Sequence, residues 1–384
     1  MNFEFATAHR IVFGPGRLKE LPGLAEGLGS RALVGTGKGV HRPARLLELL
    51  QSTGVTPVMW VVPGEPTVTD VQAGVNLARQ ERCDFVIGFG GGSVIDGAKA
   101  VAAMLTNTGD LFDYLEVIGR AQPLGRAGAP FIAIPTTAGT GAEVTRNAVL
   151  GSPEHRVKVS LRSPLMLARI ALIDPELTHD LPPDLTASTG MDALTQLIEP
   201  FVSCRANPFT DALCRQALPL VARSLMKAFE GGNCPEAREE MSLASLCGGL
   251  ALANAGLGAV HGFAGPVGGM FPVPHGVVCA ALLAPVMAAN LRALRARCPA
   301  SPSLGKFGEV ARLLTSNADA RADEAVEWVE ALCGRLHIPK LGTFGISEQH
   351  FSGLTEAAAR SSSMKANPIA LTSDELRAAL RQAI

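Results

Sequence analysis

The stretch DFVIGFGGGSVIDGAKA (84–100) joins an apolar run to a glycine cluster and a helix-like pattern. The apolar residues predict a buried strand, and Gly91, Gly92 and Ser93 form its turn into a helix. Glycines let a backbone approach a phosphate closely, and the N–H groups at a helix start attract anions. Such a turn also occurs without a ligand, and this one is neither a GxGxxG fingerprint nor a P-loop. The stretch therefore predicts a strand-turn-helix unit suited to phosphate binding.

A second polar loop follows another apolar strand, in IPTTAGTGAEVTRNAV (134–149). Thr136, Thr137 and Thr140 supply hydroxyl groups, and two glycines clear space around them. Open α/β sheets bind ligands at the carboxyl ends of their strands, where both loops are expected. Two such loops on one sheet favour a dinucleotide site over two isolated turns.

The rest of the first half alternates strand-like runs with helix-like segments, which predicts βαβ units and a mostly parallel sheet. After LPPDLTAS (181–188), whose prolines end the preceding unit, strand patterns almost vanish. Segments such as 207–231 and 323–336 are typical of helices. We expect an α/β dinucleotide-binding domain in residues 1–183, an all-α domain in residues 184–384, and a cleft between them. The predicted strands are RIVFG (10–14), RALVGTG (31–37), TPVMWVV (56–62), DFVIGFG (84–90), PFIAIPTT (130–137) and ARIALID (168–174).

The composition disfavours several classes of protein. Of the 384 residues 47% are hydrophobic, and the formal net charge is −1. A large hydrophobic core is therefore possible. The net charge gives no indication of binding to nucleic acid or to an anionic membrane. No secretory signal and no apolar segment long enough to span a bilayer is recognised, so we expect a cytoplasmic protein without a membrane partner. The eight cysteines are scattered without a CxxC pair, which favours reduced thiols over disulfides or a zinc site.

Three residues point to a metal. GMDALTQLIEP (190–200) places Asp192 and Gln196 on one face of a helix, because residues i and i+4 share a face. His261 and His275 lie in an apolar stretch rich in glycine and proline. A lone histidine in such a context is usually a satisfied core residue, but two of them with Asp192 fit a site for iron or zinc. Gln196 is a weak ligand, the remnant of a lost site, or only the polar side of a helix.

Four long motifs resemble the signatures of the iron-containing (group III) alcohol dehydrogenase family. In chain order they are GGGSVIDGAKA, PTTAGTGAEVT, IDPELTHDLPPDLTASTGMDALTQLIEPFVS and VHGFAGPVGGMFPVPHG. The resemblance implies a dehydroquinate synthase-like architecture, with an α/β domain, a helical domain and a divalent metal in the cleft. It also implies nicotinamide-dependent interconversion of small alcohols with aldehydes or ketones, by a protein that is often a homodimer.

The resemblance also assigns roles to individual residues. Asp192, His261 and His275 match three of the four metal ligands of the family. Asp96 matches an acidic residue near the nicotinamide end, and Lys158 matches a lysine near the nicotinamide ribose. The other positions that match cofactor contacts are Gly91, Gly92, Ser93, Thr136, Thr137 and Thr140.

Three positions depart from the family pattern. The family stretch reads Asp-x-x-x-His, whereas residue 196 is glutamine, whose amide oxygen is a weaker ligand than imidazole. Gly265 stands where the family often has a histidine that is suspected of proton relay. Gly37 stands where NAD-preferring members carry an aspartate that repels a 2′-phosphate. Lys38 and Arg42, near Gly37 in the sequence, would favour a phosphate, although they are equally typical of ordinary loop charges, so the cofactor is NAD or NADP.

We therefore expect a nicotinamide-dependent alcohol dehydrogenase or carbonyl reductase. A divalent metal, iron or zinc and weakly held or absent, would act on the substrate oxygen with Asp192, Gln196, His261 and His275. The alternative is a metal-free enzyme resembling maleylacetate reductases, in which the polar groups act on a ketone directly. A lyase resembling dehydroquinate synthase would need Lys and Arg for its anionic substrate, and neither 190–203 nor 256–280 contains one. A cofactor-binding protein without catalysis is disfavoured by the retained site residues.

Overall fold

The computed structural model describes residues 2–39, 43–232 and 234–384. The chain forms two compact units. The α/β unit consists of Ala6–Thr137 and Gly141–His179, and the helical unit consists of the residues up to Phe5, Ala138–Thr140 and Asp180–Ile384. An α/β fold followed by a helical one is thereby confirmed, whereas the predicted domain boundary at 183/184 stays a prediction.

The α/β unit is built on a six-stranded parallel sheet. Its strands are β1 (Arg10–Phe13), β2 (Arg31–Thr36), β3 (Thr56–Val61), β4 (Phe85–Gly90), β5 (Phe131–Pro135) and β8 (Ile170–Ile173), and its helices are α1 (Leu21–Ala25), α2 (Ala44–Gln51), α3 (Val68–Gln80), α4 (Gly92–Thr106) and α5 (Leu111–Tyr114). The strand order is β1-β8-β5-β4-β2-β3, and each of the five neighbouring pairs is parallel. All six predicted strands and the mostly parallel sheet are confirmed.

The centre of the sheet brings the two predicted loops side by side. All six residues of β4 are buried, as expected of a strand covered on both faces. Gly88 lets α4 pack closely on β4, because a Cβ added there would lie 3.0 Å from the Cβ of Ala98. β5 is the neighbour of β4, with Gly90 opposite Pro135, and the N–H of Thr136 donates to the carbonyl oxygen of Gly90 at 3.0 Å. Both loops therefore begin at the same edge of the sheet.

A hairpin of β6 (Asn147–Ser152) and β7 (Val157–Arg162) also belongs to the α/β unit, and the sequence analysis did not predict it. The two strands are antiparallel and form their own small sheet. Their residues alternate between buried and partly exposed positions. Such a half-buried pattern is a weaker signal than the continuous apolar runs of the parallel strands.

The helical unit contains α6 (Pro183–Val202), α7 (Pro208–Gly231), α8 (Pro235–Ala255), α9 (Ala259–Met270), α10 (His275–Arg297), α11 (Pro302–Thr315), α12 (Ala322–Arg335), α13 (Phe351–Arg360) and α14 (Ser373–Ala383). Within the described residues no strand follows Pro183, and the predicted helices at 207–231 and 323–336 are α7 and α12. The central helix is α6, in which every residue from Thr186 to Val202 except Thr189 is buried. Polar side chains on such a buried helix need hydrogen-bond partners or a role in a functional site.

By length and composition α10 could cross a membrane, which corrects the expectation that no segment is long enough. A proline usually ends a helix, but Pro285 lies inside α10 without interrupting it. The apolar segments on its two sides therefore form one continuous helix. The helices α8 and α9 pass the same test only as a pair, and they are bent by 99°. In α10, 83% of the apolar window is buried within the protein. A helix that is apolar on all sides is typical of a protein core as well as of a membrane, and the absence of a membrane partner stays a prediction.

Candidate metal centre and cofactor loops

Three helices of the helical unit bring four side chains to one point. Asp192 lies on α6, His261 on α9, and His275 and Cys279 on α10, and one ligand atom of each lies within 4.8 Å of those of the others. The Nε2 atoms of His261 and His275 are 3.4 Å and 3.6 Å from Oδ1 of Asp192. Sγ of Cys279 is 3.8 Å from Nε2 of His261 and 3.6 Å from Nε2 of His275. The structure thus brings three of the four predicted metal residues together with Cys279, one of the cysteines expected to be ordinary reduced thiols. The role of Gln196 as a ligand stays a prediction.

The glycine that follows His275 explains how the start of α10 can pack closely against α6. A Cβ at Gly276 would lie 2.3 Å from the carbonyl oxygen of Ser188 on α6, closer than real Cβ atoms come to a neighbour. Any other residue at 276 would push the start of α10 away from α6. The His-Gly pair therefore places His275, the first residue of α10, against the helix that carries Asp192.

Glu199 fixes the orientation of His261, and the sequence analysis missed it. Its carboxylate accepts hydrogen bonds from Nδ1 of His261 at 2.7 Å and from the N–H of Val260 at 2.7 Å. Because Nδ1 is engaged, Nε2 is the nitrogen that faces Asp192. A carboxylate that holds the far nitrogen of a ligating histidine is a common feature of metal sites. The sequence contained a signal for this residue, because Glu199 lies seven residues after Asp192 and therefore on the same face of α6.

The cluster favours a positive charge. Burial alone would lower the pKa of both histidines, but their interactions with Cys279 and Asp192 outweigh it and raise the pKa of His261 and of His275. Burial would likewise raise the pKa of Asp192, but its interactions with the two histidines hold that pKa well below its usual range. The side chain of His275 is 36% exposed, so the cluster can be reached from one side.

Two buried oxygen atoms test whether these residues fit a metal ion. Within the described residues Oδ1 of Asp192 and Oε1 of Gln196 have no hydrogen-bond partner, although both side chains are buried. Leaving a buried acceptor unsatisfied costs about 1–3 kcal/mol, and more for a charged one. A cation beside Asp192 would remove that cost, and two imidazole nitrogens with a carboxylate oxygen are a common donor set for Fe²⁺ and Zn²⁺. The residues present therefore fit a divalent metal.

The predicted phosphate loop has the geometry of an anion site. Gly91 precedes α4 as its N-cap, and no side chain caps the helix there. A Cβ at Gly91 would lie 3.3 Å from Cγ2 of Thr137, so the two predicted loops are in close contact. Gly92 and Ser93 are the first two residues of α4, where backbone N–H groups have no partner within the helix.

The other predicted cofactor residues are more dispersed. Asp96 on α4 accepts a hydrogen bond from the N–H of Val149 at 2.9 Å. Lys158 on β7 forms an ion pair with Glu65 at 2.5 Å. Thr136 is buried in the α/β unit, whereas Thr140 belongs by its contacts to the helical unit. The predicted roles of these residues in cofactor binding stay predictions.

Two of the positions that depart from the family pattern have room for a side chain. A Cβ added at Gly37 or at Gly265 would meet no other atom within 4 Å. Neither glycine has a positive φ, so neither position demands glycine for its backbone. Lys38 is exposed, and Arg42, the other cation noted near Gly37, lies outside the described residues.

Comparisons with known proteins agree with this geometry. The family described as iron-containing alcohol dehydrogenase matches residues 8–175, and the C-terminal domain of the Fe-containing alcohol dehydrogenase family matches residues 186–384. The chain is 35% identical to a 1,3-propanediol dehydrogenase of Klebsiella pneumoniae, over 99% of this chain and 98% of that protein. The crystal structure of a 1,3-propanediol oxidoreductase superposes with a TM-score of 0.93 at 34% identity, covering 100% of both chains.

A further structure is that of sulfoacetaldehyde reductase from Bifidobacterium kashiwanohense in complex with NAD⁺. It superposes with a TM-score of 0.87 at 29% identity, covering 100% of this chain and 99% of that one. These matches extend over both units and agree with the predicted class of activity and its cofactors, a nicotinamide dinucleotide and a divalent metal. The chain belongs to the iron-containing alcohol dehydrogenase family and is, by class, a nicotinamide-dependent alcohol dehydrogenase.

Proposed function

We propose that this chain interconverts small alcohols with aldehydes or ketones at the cluster formed by Asp192, His261 and His275. The observation that carries this proposal is the buried, unpartnered Oδ1 of Asp192 with two imidazole Nε2 atoms 3.4 Å and 3.6 Å away. A cation bound beside this buried carboxylate oxygen would satisfy it. The relatives named above, among them a 1,3-propanediol dehydrogenase, support a small-molecule substrate.

Asp192, His261 and His275 would hold the divalent metal, with Gln196 at the fourth ligand position of the family. A bound metal at this place supplies Lewis acidity toward the oxygen of the substrate. Asp192 contributes negative charge that offsets the charge of the ion, and Glu199 keeps Nε2 of His261 directed at the cluster. The partly exposed side of His275 is the side from which a small substrate can approach.

Gly91, Gly92 and Ser93 would bind the pyrophosphate of the nicotinamide cofactor through backbone N–H groups at the start of α4. Thr136, Thr137 and Thr140 would add hydroxyl contacts, Asp96 and Lys158 would lie toward the nicotinamide end, and Gly37 would lie near the adenosine ribose. A bound nicotinamide supplies the hydride acceptor or donor of the reaction. Because Gly37 carries no carboxylate to repel a 2′-phosphate, either NAD or NADP can serve as the cofactor.

The other hypotheses have less support. The relatives and solved structures named above are dehydrogenases and reductases, which disfavours a lyase and a binding protein without catalysis. A metal-free enzyme resembling maleylacetate reductases is disfavoured because it would leave the buried Oδ1 of Asp192 without a hydrogen-bond partner. We further propose that the protein is a cytoplasmic homodimer that binds neither nucleic acid nor a membrane, with domains at residues 1–183 and 184–384.

Two measurements test the proposal. Protein purified without chelator should contain close to one divalent metal ion per chain by elemental analysis, or take one up with a fitted stoichiometry of one. The same protein should oxidise NADH or NADPH in the presence of small aldehydes or ketones. A protein that turns over aldehydes after complete metal removal would contradict the role of the metal, and one inactive with every cofactor and aldehyde would contradict the enzyme itself.

A further inference from the structure

We propose that Cys279 is a ligand of the metal and supplies the fourth protein donor that Gln196 supplies only weakly. This inference rests on the proposed function, since it concerns the same metal. It assigns a thiolate to a centre that the sequence predicts from carboxylate, amide and imidazole groups alone. The site would then consist of Asp192, His261, His275 and Cys279.

The distances between the donor atoms support this ligand set. In a tetrahedral zinc site with bonds of about 2.3 Å to sulfur and about 2.0 Å to nitrogen or oxygen, sulfur and nitrogen lie about 3.5 Å apart, and nitrogen and oxygen about 3.3 Å apart. The corresponding distances here are 3.6 Å and 3.8 Å from Sγ of Cys279 to the two Nε2 atoms. They are 3.4 Å and 3.6 Å from Oδ1 of Asp192 to the same two nitrogens. Four of the six distances between the donor atoms are therefore close to those that one ion would impose, and all six lie within 4.8 Å.

The surroundings of Cys279 differ from those of a cysteine that only fills space. A buried cysteine usually behaves as a small hydrophobic residue. Cys279 is fully buried, yet its sulfur faces two imidazole nitrogens. By contrast, Sγ of Cys333 donates to the backbone carbonyl of Ala280, and Cys214 lies in the apolar core of the helical unit. Cys279 also follows His275 by four residues, so both side chains lie on one face of the first turns of α10.

The chemistry of the donors explains why a cysteine is useful here. The amide oxygen of Gln196 is neutral and hard, and it binds first-row divalent metals weakly. A thiolate restores four strong protein donors and adds a second negative charge to that of Asp192. Sulfur donors favour the borderline-soft Zn²⁺ over harder ions such as Mn²⁺. We therefore expect zinc to be preferred at this centre, with the amide of Gln196 left available to hydrogen-bond a substrate.

X-ray absorption at the zinc edge of the intact, zinc-loaded protein gives the direct test. The wild type should show one sulfur scatterer at about 2.3 Å and nitrogen or oxygen scatterers at about 2.0 Å. Cys279→Ser and Cys279→Ala should lose the sulfur scatterer and bind Zn²⁺ at least about tenfold more weakly by competition with a chelator, since even the loss of a group that orients a ligand costs 10–100-fold. Gln196→Ala should keep the sulfur scatterer and most of the affinity.

Matched controls separate coordination from folding. Cys214→Ser removes a buried thiol of the same unit that lies outside the cluster, and it should leave the zinc spectrum unchanged. Circular dichroism and thermal melting should confirm that each variant is folded. The double substitution Cys279→Ala with Gln196→His should recover zinc affinity, because it replaces the thiolate with a third imidazole on α6.

The outcomes distinguish this inference from the proposed function. Zinc that binds the wild type with only nitrogen and oxygen scatterers would overturn the role of Cys279 and leave the metal enzyme intact. A Gln196→Ala variant that loses more affinity than Cys279→Ala would overturn it as well, in favour of Gln196 as the fourth ligand. A protein that binds no divalent metal would overturn both proposals.

Discussion

The phosphate loop of the α/β unit and the metal cluster of the helical unit offer different parts of the chain to a ligand. At Gly91 the helix α4 begins without a side-chain cap, so backbone N–H groups face the proposed phosphate. At Asp192 the donors are side chains contributed by α6, α9 and α10. The loop is one continuous segment of sequence, whereas the cluster exists only after three helices have packed together.

This difference predicts different sensitivities. A site made of backbone groups should tolerate the loss of side chains and fail when bulk is added. A site made of buried, charged side chains should fail when one atom or one charge is changed, because its neighbours are left without a partner.

Asp192→Asn should have the largest effect. The change keeps the shape of the side chain but removes the negative charge that both histidines face. We expect metal affinity to fall by more than about 100-fold, beyond the loss typical of an orienting group. Titration with Zn²⁺ by calorimetry measures it. Asp184→Asn, an exposed change on the first turn of the same helix, is the control and should bind zinc as the wild type does. Equal affinities for all three proteins would place the metal elsewhere.

Glu199→Gln should weaken the metal site without removing a ligand. In Glu199 both carboxylate oxygens accept, one from Val260 and one from Nδ1 of His261. A glutamine whose oxygen keeps the bond to Val260 turns its NH₂ toward Nδ1, so the imidazole proton moves to Nε2, the atom that must bind the metal. We expect a loss of about 10–100-fold in metal affinity, with nicotinamide binding unchanged. A variant with wild-type metal affinity would show that Glu199 serves only to anchor α9.

The two regions also differ in how much of them the sequence predicts. The strand β4, the turn at Gly91 and helix α4 are neighbours in the sequence, and one local pattern of residues predicts all three. Asp192, His261 and His275 were found because they stand in long family motifs. Cys279 gave no such signal, because a cysteine in the apolar segment HGVVCAALL is typical of a core helix. Glu199 was missed because its partner His261 is 62 residues away, and only the packing of α6 on α9 joins them.

Gly91→Val should act through bulk alone. A Cβ at this position already lies 3.3 Å from Cγ2 of Thr137, and valine adds two methyl groups beside the proposed phosphate. We expect NADH or NADPH to bind at least about tenfold more weakly, equivalent to roughly 1.4 kcal/mol. Fluorescence titration of the reduced cofactor measures it, and zinc affinity should not change. Gly91→Ala is the graded control, since Thr137 needs to move by only a few tenths of an ångström. Tight cofactor binding by the valine variant would move the phosphate away from α4.

Gly37→Asp should have the smallest effect, because it changes only a preference between cofactors. The position has room for a side chain and no positive φ, so the protein should fold normally. Two like charges about 4 Å apart in water repel by about 1 kcal/mol, which is roughly fivefold in affinity. NADPH, with its 2′-phosphate, should therefore bind about fivefold more weakly to the variant, while NADH binds equally well or better because a carboxylate can accept hydrogen bonds from the ribose hydroxyls. Gly37→Asn, which has nearly the same size without the charge, is the control and should leave the ratio of the two dissociation constants nearly unchanged. The same ratio in the wild type and in the aspartate variant would mean that residue 37 does not lie beside the ribose, and other residues would then set the preference between the two cofactors.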